Sequence, residues 1–139
     1  TKRDNSWVHE AVGSAVKVIY AFLMDLPSAY EYRVIFMRRP LAEALRSQQK
    51  MLQGRGETGA SAEPDQLTSI FARQLSATEK WLREQKNFQC LDISYRGVLE
   101  DPHAVATEVC EFLDLSLDTQ AMARAVDPSL YRQRELDTE

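Results

Sequence analysis

The stretch from Tyr32 to Gln49, YRVIFMRRPLAEALRSQQ, limits the fold more than any other part of the chain. Its first half is β-branched, aromatic and almost continuously apolar, the pattern of a central parallel strand covered on both faces. Two arginines and a proline follow at once. Pro40 suits the first position of a helix, because it has no N–H to leave unpaired. From there Leu41, Ala44, Leu45, Met51 and Leu52 supply an apolar side to about Gln53. A strand that hands over to a helix beside paired positive charge is also a ready anion site, since free N–H groups and the helix dipole point at the same spot. In open parallel sheets ligands gather outside the carboxyl ends of the strands, so Arg38 and Arg39 are both eligible.

The rest of the chain fits around this unit. Thr1 to Ser14 is polar and mixed, with Trp7, Val8, Ala11 and Val12 spaced for a short helix that Gly13 ends. Ala15 to Tyr20 (AVKVIY) reads as a buried strand interrupted by Lys17, and Phe22 to Leu26 as one helical turn stopped by Pro27. Glu31 to Met37 is the second strand. Residues 54–64 (GRGETGASAEP) form a loop long enough to act as a lid. Asp65 to Lys86 carries the longest helical pattern, with Asp65 as N-cap and Phe71 and Trp81 in the core. Phe88 to Tyr95 is a third strand, Asp101 and Pro102 start a helix through Leu113, and a last helix covers Asp118 to Val126. Residues 127–139 form a polar C-terminal tail. Strands separated by helices predict an α/β domain, a small parallel sheet flanked by helices. Three strands are thin for a complete domain of this type. Residues 1–139 therefore read as one domain from which strands are missing.

Composition narrows the partners. A formal net charge of -4 argues against non-specific nucleic-acid binding, so the arginines act locally. No apolar run approaches the roughly 20 residues of a membrane span. Cys90 and Cys110 lie in apolar stretches without CxxC spacing, which predicts buried free thiols, no metal site and a reducing, cytoplasmic setting. His9 and His103 have no serine or cysteine partner suited to nucleophilic catalysis. A GxxxxGK[ST] loop is absent, which excludes a self-contained P-loop NTPase.

On pattern alone Arg38 and Arg39 are either strand-end arginines reaching into water or guanidinium groups for paired hydrogen bonds to a phosphate. Glu43 and Ser47, four residues apart, share a face of the following helix. Lys17, inside an apolar strand, is either a simple edge residue or needs an anion or the strand end, because a buried ammonium costs several kcal/mol.

Three blocks together resemble the sulfotransferase family. They are KVIYAFLMDLP (17–27), YRVIFMRRPLAEALRSQQKML (32–52), and LDISYRGVLEDP (91–102) followed by FLDL (112–115), within roughly residues 11–134. The resemblance implies a P-loop-like three-layer architecture, 3'-phosphoadenosine-5'-phosphosulfate as sulfuryl donor, no metal, and a hydroxyl or amine acceptor. It implies that an arginine at the strand end and a serine eight residues later hold the donor's 3'-phosphate. Arg39 and Ser47 have that spacing, which makes Arg38 the less favoured of the pair. Glu43 takes the place of the family's usual aspartate, where it would tether the helix start. Lys17 matches the lysine placed near the sulfuryl oxygens, but Ile19 stands where the family has a histidine general base. Isoleucine cannot accept a proton. The family's glycine loop for the 5'-phosphosulfate has no counterpart in the sequence, which implies the C-terminal part of a longer sulfotransferase. A non-catalytic nucleotide-binding or interaction module and a nucleotide kinase relative are the alternatives. Acceptor identity is not encoded in these motifs.

Overall fold

The structure is a computed structural model that describes residues 4–54 and 64–130, with side chains described for 4–50 and 66–130. At its centre, β1 (Tyr32–Arg38) and β2 (Phe88–Ser94) pair in parallel, with Tyr32 opposite Phe88 and Arg38 opposite Ser94. Between them the chain forms α2 (Leu41–Gly54) and α3 (Pro64–Glu84). Preceding β1 are α1 (Trp7–Glu10) and a 3-10 turn over Tyr20–Asp25. After β2 come α4 (Tyr95–Glu100), α5 (Pro102–Leu113), α6 (Thr119–Arg124) and a short 3-10 turn at Pro128–Leu130.

The predicted α/β class with a small parallel sheet holds, with one correction. Among the described residues the sheet has two strands, not three. Ala15 to Ile19 is irregular, Val16 and Ile19 are exposed, and Lys17 is exposed rather than buried. Strand propensity measures fit to a pleated, half-buried surface, and this segment pairs with neither strand of the sheet. Gly13, at φ 78°, ends the N-terminal helical turn in the left-handed region that glycine enters without strain.

The two faces of the sheet are covered unequally. Leu23, Leu82 and Phe88 form the buried cluster, and Tyr32, Val34, Phe36, Trp81 and Val18 pack against it. Phe88 stacks on Tyr32 at 4.6 Å and meets the Trp81 ring edge-on at 5.2 Å, arrangements that aromatic quadrupoles favour. Tyr32 donates from its hydroxyl to the Pro27 carbonyl at 2.6 Å, closing the turn that feeds β1. Side chains alternate along a strand, so Arg33 leaves from the opposite face. There its guanidinium donates to the Phe112 carbonyl at 3.0 Å, near the end of α5. On that same face Met37 is exposed, so β1 is not the doubly covered strand its apolar run predicts. Cys90 is also exposed, against the expectation of a buried thiol, because the face of β2 that buries Phe88 opens to solvent two residues later, while Ile93 is buried on the other face; Cys110 is half-buried.

Local signals explain the helix boundaries. Asp101 accepts from the Ala104 amide and precedes Pro102, the first residue of α5; Asp118 accepts from the Ala121 amide at the start of α6. Ser94 caps α4 by accepting from the Gly97 amide at 3.2 Å. In α3 the helix starts at Pro64, which places Asp65 inside the helix rather than at its cap. The predicted 54–64 loop lies outside the described residues except for its ends, Gly54 and Pro64, and the tail beyond Leu130 lies outside them entirely.

Candidate functional site at the strand ends

At the carboxyl end of β1 the two arginines diverge. Arg38 closes the strand and is taken up by carboxylates from two other elements. Its Nε donates to Asp92 Oδ1 at 2.8 Å, a terminal nitrogen meets the same oxygen at 2.8 Å, and the other terminal nitrogen meets Glu79 Oε1. The guanidinium also lies 4.3 Å from the centre of the Phe36 ring. Burial works against its charge, but the hydrogen bonds to Glu79 and Asp92 outweigh that and hold Arg38 above its ordinary range. Arg38 is thereby committed within the protein.

Arg39 turns the other way, toward α2. Its Nε lies 3.4 Å from Glu43 Oε2, and its guanidinium sits 5.1 Å from the centre of the Tyr95 ring. Glu43 is fully buried, whereas a fifth of the Arg39 side chain remains exposed. The carboxylate therefore anchors from within, and the guanidinium reaches the surface. The geometry follows from the sequence: Pro40 starts the helical ladder by accepting from the Glu43 and Ala44 amides at 3.0 and 3.1 Å. Amides earlier in that first turn have no carbonyl ahead of them in the helix to bond. Positive charge, amide dipoles and an aromatic face thus converge where β1 becomes α2.

Ser47 is half-buried in α2, four residues and about one turn beyond Glu43. The structure brings Arg39 and Glu43 together and places Ser47 on the same helix face. Lys17 belongs to a different segment, the irregular 15–19 stretch, whose Val18 packs against the core while Lys17 remains in solvent. Ile19 is 60% exposed and supplies no titratable group. His9 meets the Tyr30 hydroxyl at 3.4 Å on the surface before β1.

Tyr95 and the two partners of Arg38 were not visible as site residues in the sequence. Tyr95 closes the predicted third strand, and its position one residue past β2 was the available signal, since parallel strand ends face the same side. Glu79 and Asp92 come from α3 and β2, and nothing local links them to Arg38. Among the described residues no group of three or more His, Cys, Asp or Glu could hold a metal ion. A shallow depression lined by Thr107, Cys110, Asp114 and Thr119 lies along α5 and the turn into α6, on different elements from Arg39.

Among the described residues no helix is long and apolar enough to cross a membrane. A model of the sulfotransferase family matches residues 17–119. No curated protein and no solved structure matches the chain.

Proposed function

Because the chain belongs to the sulfotransferase family, we propose that the β1–α2 junction binds the 3'-phosphate of 3'-phosphoadenosine-5'-phosphosulfate, with Arg39 as its cationic ligand and Ser47 as a hydroxyl donor. The observation that carries this reading is the arrangement of Arg39: anchored at Nε by buried Glu43, set beside Tyr95, and still partly open to solvent. A planar guanidinium that is oriented before the ligand arrives loses little freedom on binding a phosphate. Arg38 is the less favoured ligand, because each of its three nitrogens already faces a carboxylate oxygen of Glu79 or Asp92.

Sulfuryl transfer breaks the bond between sulfur and the 5'-phosphate oxygen, forms a bond from sulfur to the acceptor's oxygen or nitrogen, and sheds one acceptor proton. In this reading Lys17 stabilises negative charge that develops around the sulfuryl group. Lys17 is exposed and so open to an incoming donor. A second reading, a nucleotide-binding module without transferase activity, is favoured by Ile19, which cannot take up the acceptor proton.

Thermal-shift titration of the chain with adenosine 3',5'-bisphosphate and with ATP tests the site. The bisphosphate is expected to raise the melting temperature more than ATP, and Arg39→Ala to remove that difference. Absence of a bisphosphate shift, or an unchanged shift in the variant, refutes the assignment. Sulfation of a simple phenol or amine acceptor, assayed with the donor, separates the enzyme from the binding module.

A further inference from the structure

The arginine left over by the donor site has its own arrangement. Arg38 joins three elements: it is the last residue of β1, it bonds Asp92 of β2 twice at 2.8 Å, and it bonds Glu79 of α3. The Phe36 ring beneath it, 4.3 Å away, fixes the plane of the guanidinium. Asp92 stands opposite Phe36 in the sheet and Ser94 opposite Arg38, so these bonds tie the two strand ends together across the ladder. The next residue of each strand end matters to the site: Arg39 follows Arg38, and Tyr95 follows Ser94. Those two residues meet as the guanidinium and ring of the proposed phosphate site.

Charge argues against a direct role for Arg38 in holding an anion. One guanidinium faces two carboxylates, so the cluster carries a net negative formal charge and offers an incoming phosphate no attraction. The fork of an arginine is nevertheless specifically suited to this place. It can bond two carboxylates in different directions while lying flat on a ring, which the point charge of a lysine cannot.

We propose that Arg38 is a positioning residue: by holding Asp92 and Glu79 it sets the two strand ends so that Arg39, poised beside Tyr95, meets the 3'-phosphate in the right orientation. This rests on the proposed donor site. The side chain of Asp92 is 63% exposed, and ion pairs so open to water contribute little to global stability. Asp92→Asn is therefore expected to fold while binding suffers; the Arg38–Glu79 pair is more enclosed, at 33% and 28% exposure, so the Arg38 variants are compared at temperatures below their own melting points.

The test is calorimetric titration of the full chain with adenosine 3',5'-bisphosphate, comparing wild type with Arg38→Ala, Arg38→Lys, Asp92→Asn, Arg39→Ala and the Arg38→Ala/Arg39→Ala double variant. Positioning predicts that Arg38→Ala and Asp92→Asn each weaken binding, by about tenfold, and that lysine does not rescue. The sign at Asp92 is decisive. Removing a negative charge next to an anion site strengthens binding if only charge matters, and weakens it if the tie to Arg38 orients Arg39. In the double variant, loss of Arg38 should add nothing to loss of Arg39. Tighter binding by Asp92→Asn, full rescue by Arg38→Lys, or additive losses would overturn the role of Arg38 while leaving the Arg39 site standing. Wild-type binding that is absent, or indifferent to Arg39→Ala, refutes the donor site and the positioning role with it.

Discussion

Replacing either member of the Arg39–Glu43 pair gives unequal results, because the two side chains differ in exposure. Arg39→Ala strips a cation from a carboxylate with no solvent access, whereas Glu43→Gln leaves behind a guanidinium that is one-fifth exposed. At 3.4 Å and an effective dielectric near 20, the attraction between the two charges is about 5 kcal/mol. Loss of one partner of a buried pair costs about 3–5 kcal/mol. Both residues also have further interactions, which puts Arg39→Ala at the lower end, about 3 kcal/mol. Glu43→Gln keeps the shape and one acceptor, and Arg39 can recover solvation, so its loss is about 1 kcal/mol. The double variant removes the stranded carboxylate and should be more stable than Arg39→Ala alone. Urea unfolding of the four proteins, followed by circular dichroism, measures these differences and their coupling. Strict additivity, or a larger loss in Glu43→Gln than in Arg39→Ala, would refute the view that Glu43 anchors Arg39 from inside the fold.

Leu82→Ala removes a side chain that is 6% exposed from the Leu23–Leu82–Phe88 cluster and should lower stability by about 2–5 kcal/mol in urea unfolding; a loss under 1 kcal/mol would contradict that core. Burial, together with the neighbouring Tyr30, raises the Tyr32 phenol above its usual value. The folded chain holds this proton more tightly than the unfolded one. The associated stability is therefore present below a pH of about 10 and lost as pH rises beyond it. Tyr32→Phe should be less stable at neutral pH by about 1 kcal/mol, through the lost bond to the Pro27 carbonyl, and should decline less steeply in alkali; identical alkaline slopes would count against this. Cys90 is exposed, yet partial desolvation and then Asp92 raise its thiol, with Arg38 opposing them. Asp92→Asn should speed its alkylation by iodoacetamide near pH 8, and an unchanged rate would argue against that electrostatic influence.

Much of this molecule could be read locally. An apolar β-branched run, Pro40 and a helical repeat sufficed for β1 and α2, and the Asp101–Pro102 pair marked the start of α5 because a capping carboxylate and a proline each act on their immediate neighbours. Ala15 to Tyr20 misled for the opposite reason. The β-branched residues there become a strand only beside a partner, and partnership is decided elsewhere in the chain. α4 was hidden because Gly97 weakens its helical pattern and Tyr95 looks like the end of a strand, although Ser94 is a recognisable cap. At the site, Glu43 and Ser47 were legible as residues one helical turn apart, and the ion pair of Glu43 with Arg39 was added by the fold. The commitment of Arg38 was not, since Glu79 and Asp92 lie 41 and 54 residues away and only the folded sheet brings them near. Tyr95 belongs to the same class: it reaches Arg39 because β1 and β2 are parallel and end on one side.

The central claim is that Arg39 recognises a 3'-phosphate, and it is tested most directly by comparing the affinity of the chain for adenosine 3',5'-bisphosphate and for adenosine 5'-monophosphate. A charge-assisted contact of about 1.5–3 kcal/mol predicts that the bisphosphate binds roughly 10- to 150-fold more tightly, and that Arg39→Ala removes this preference. Equal affinity for the two nucleotides in the wild-type chain, or a preference that survives Arg39→Ala, would contradict the account.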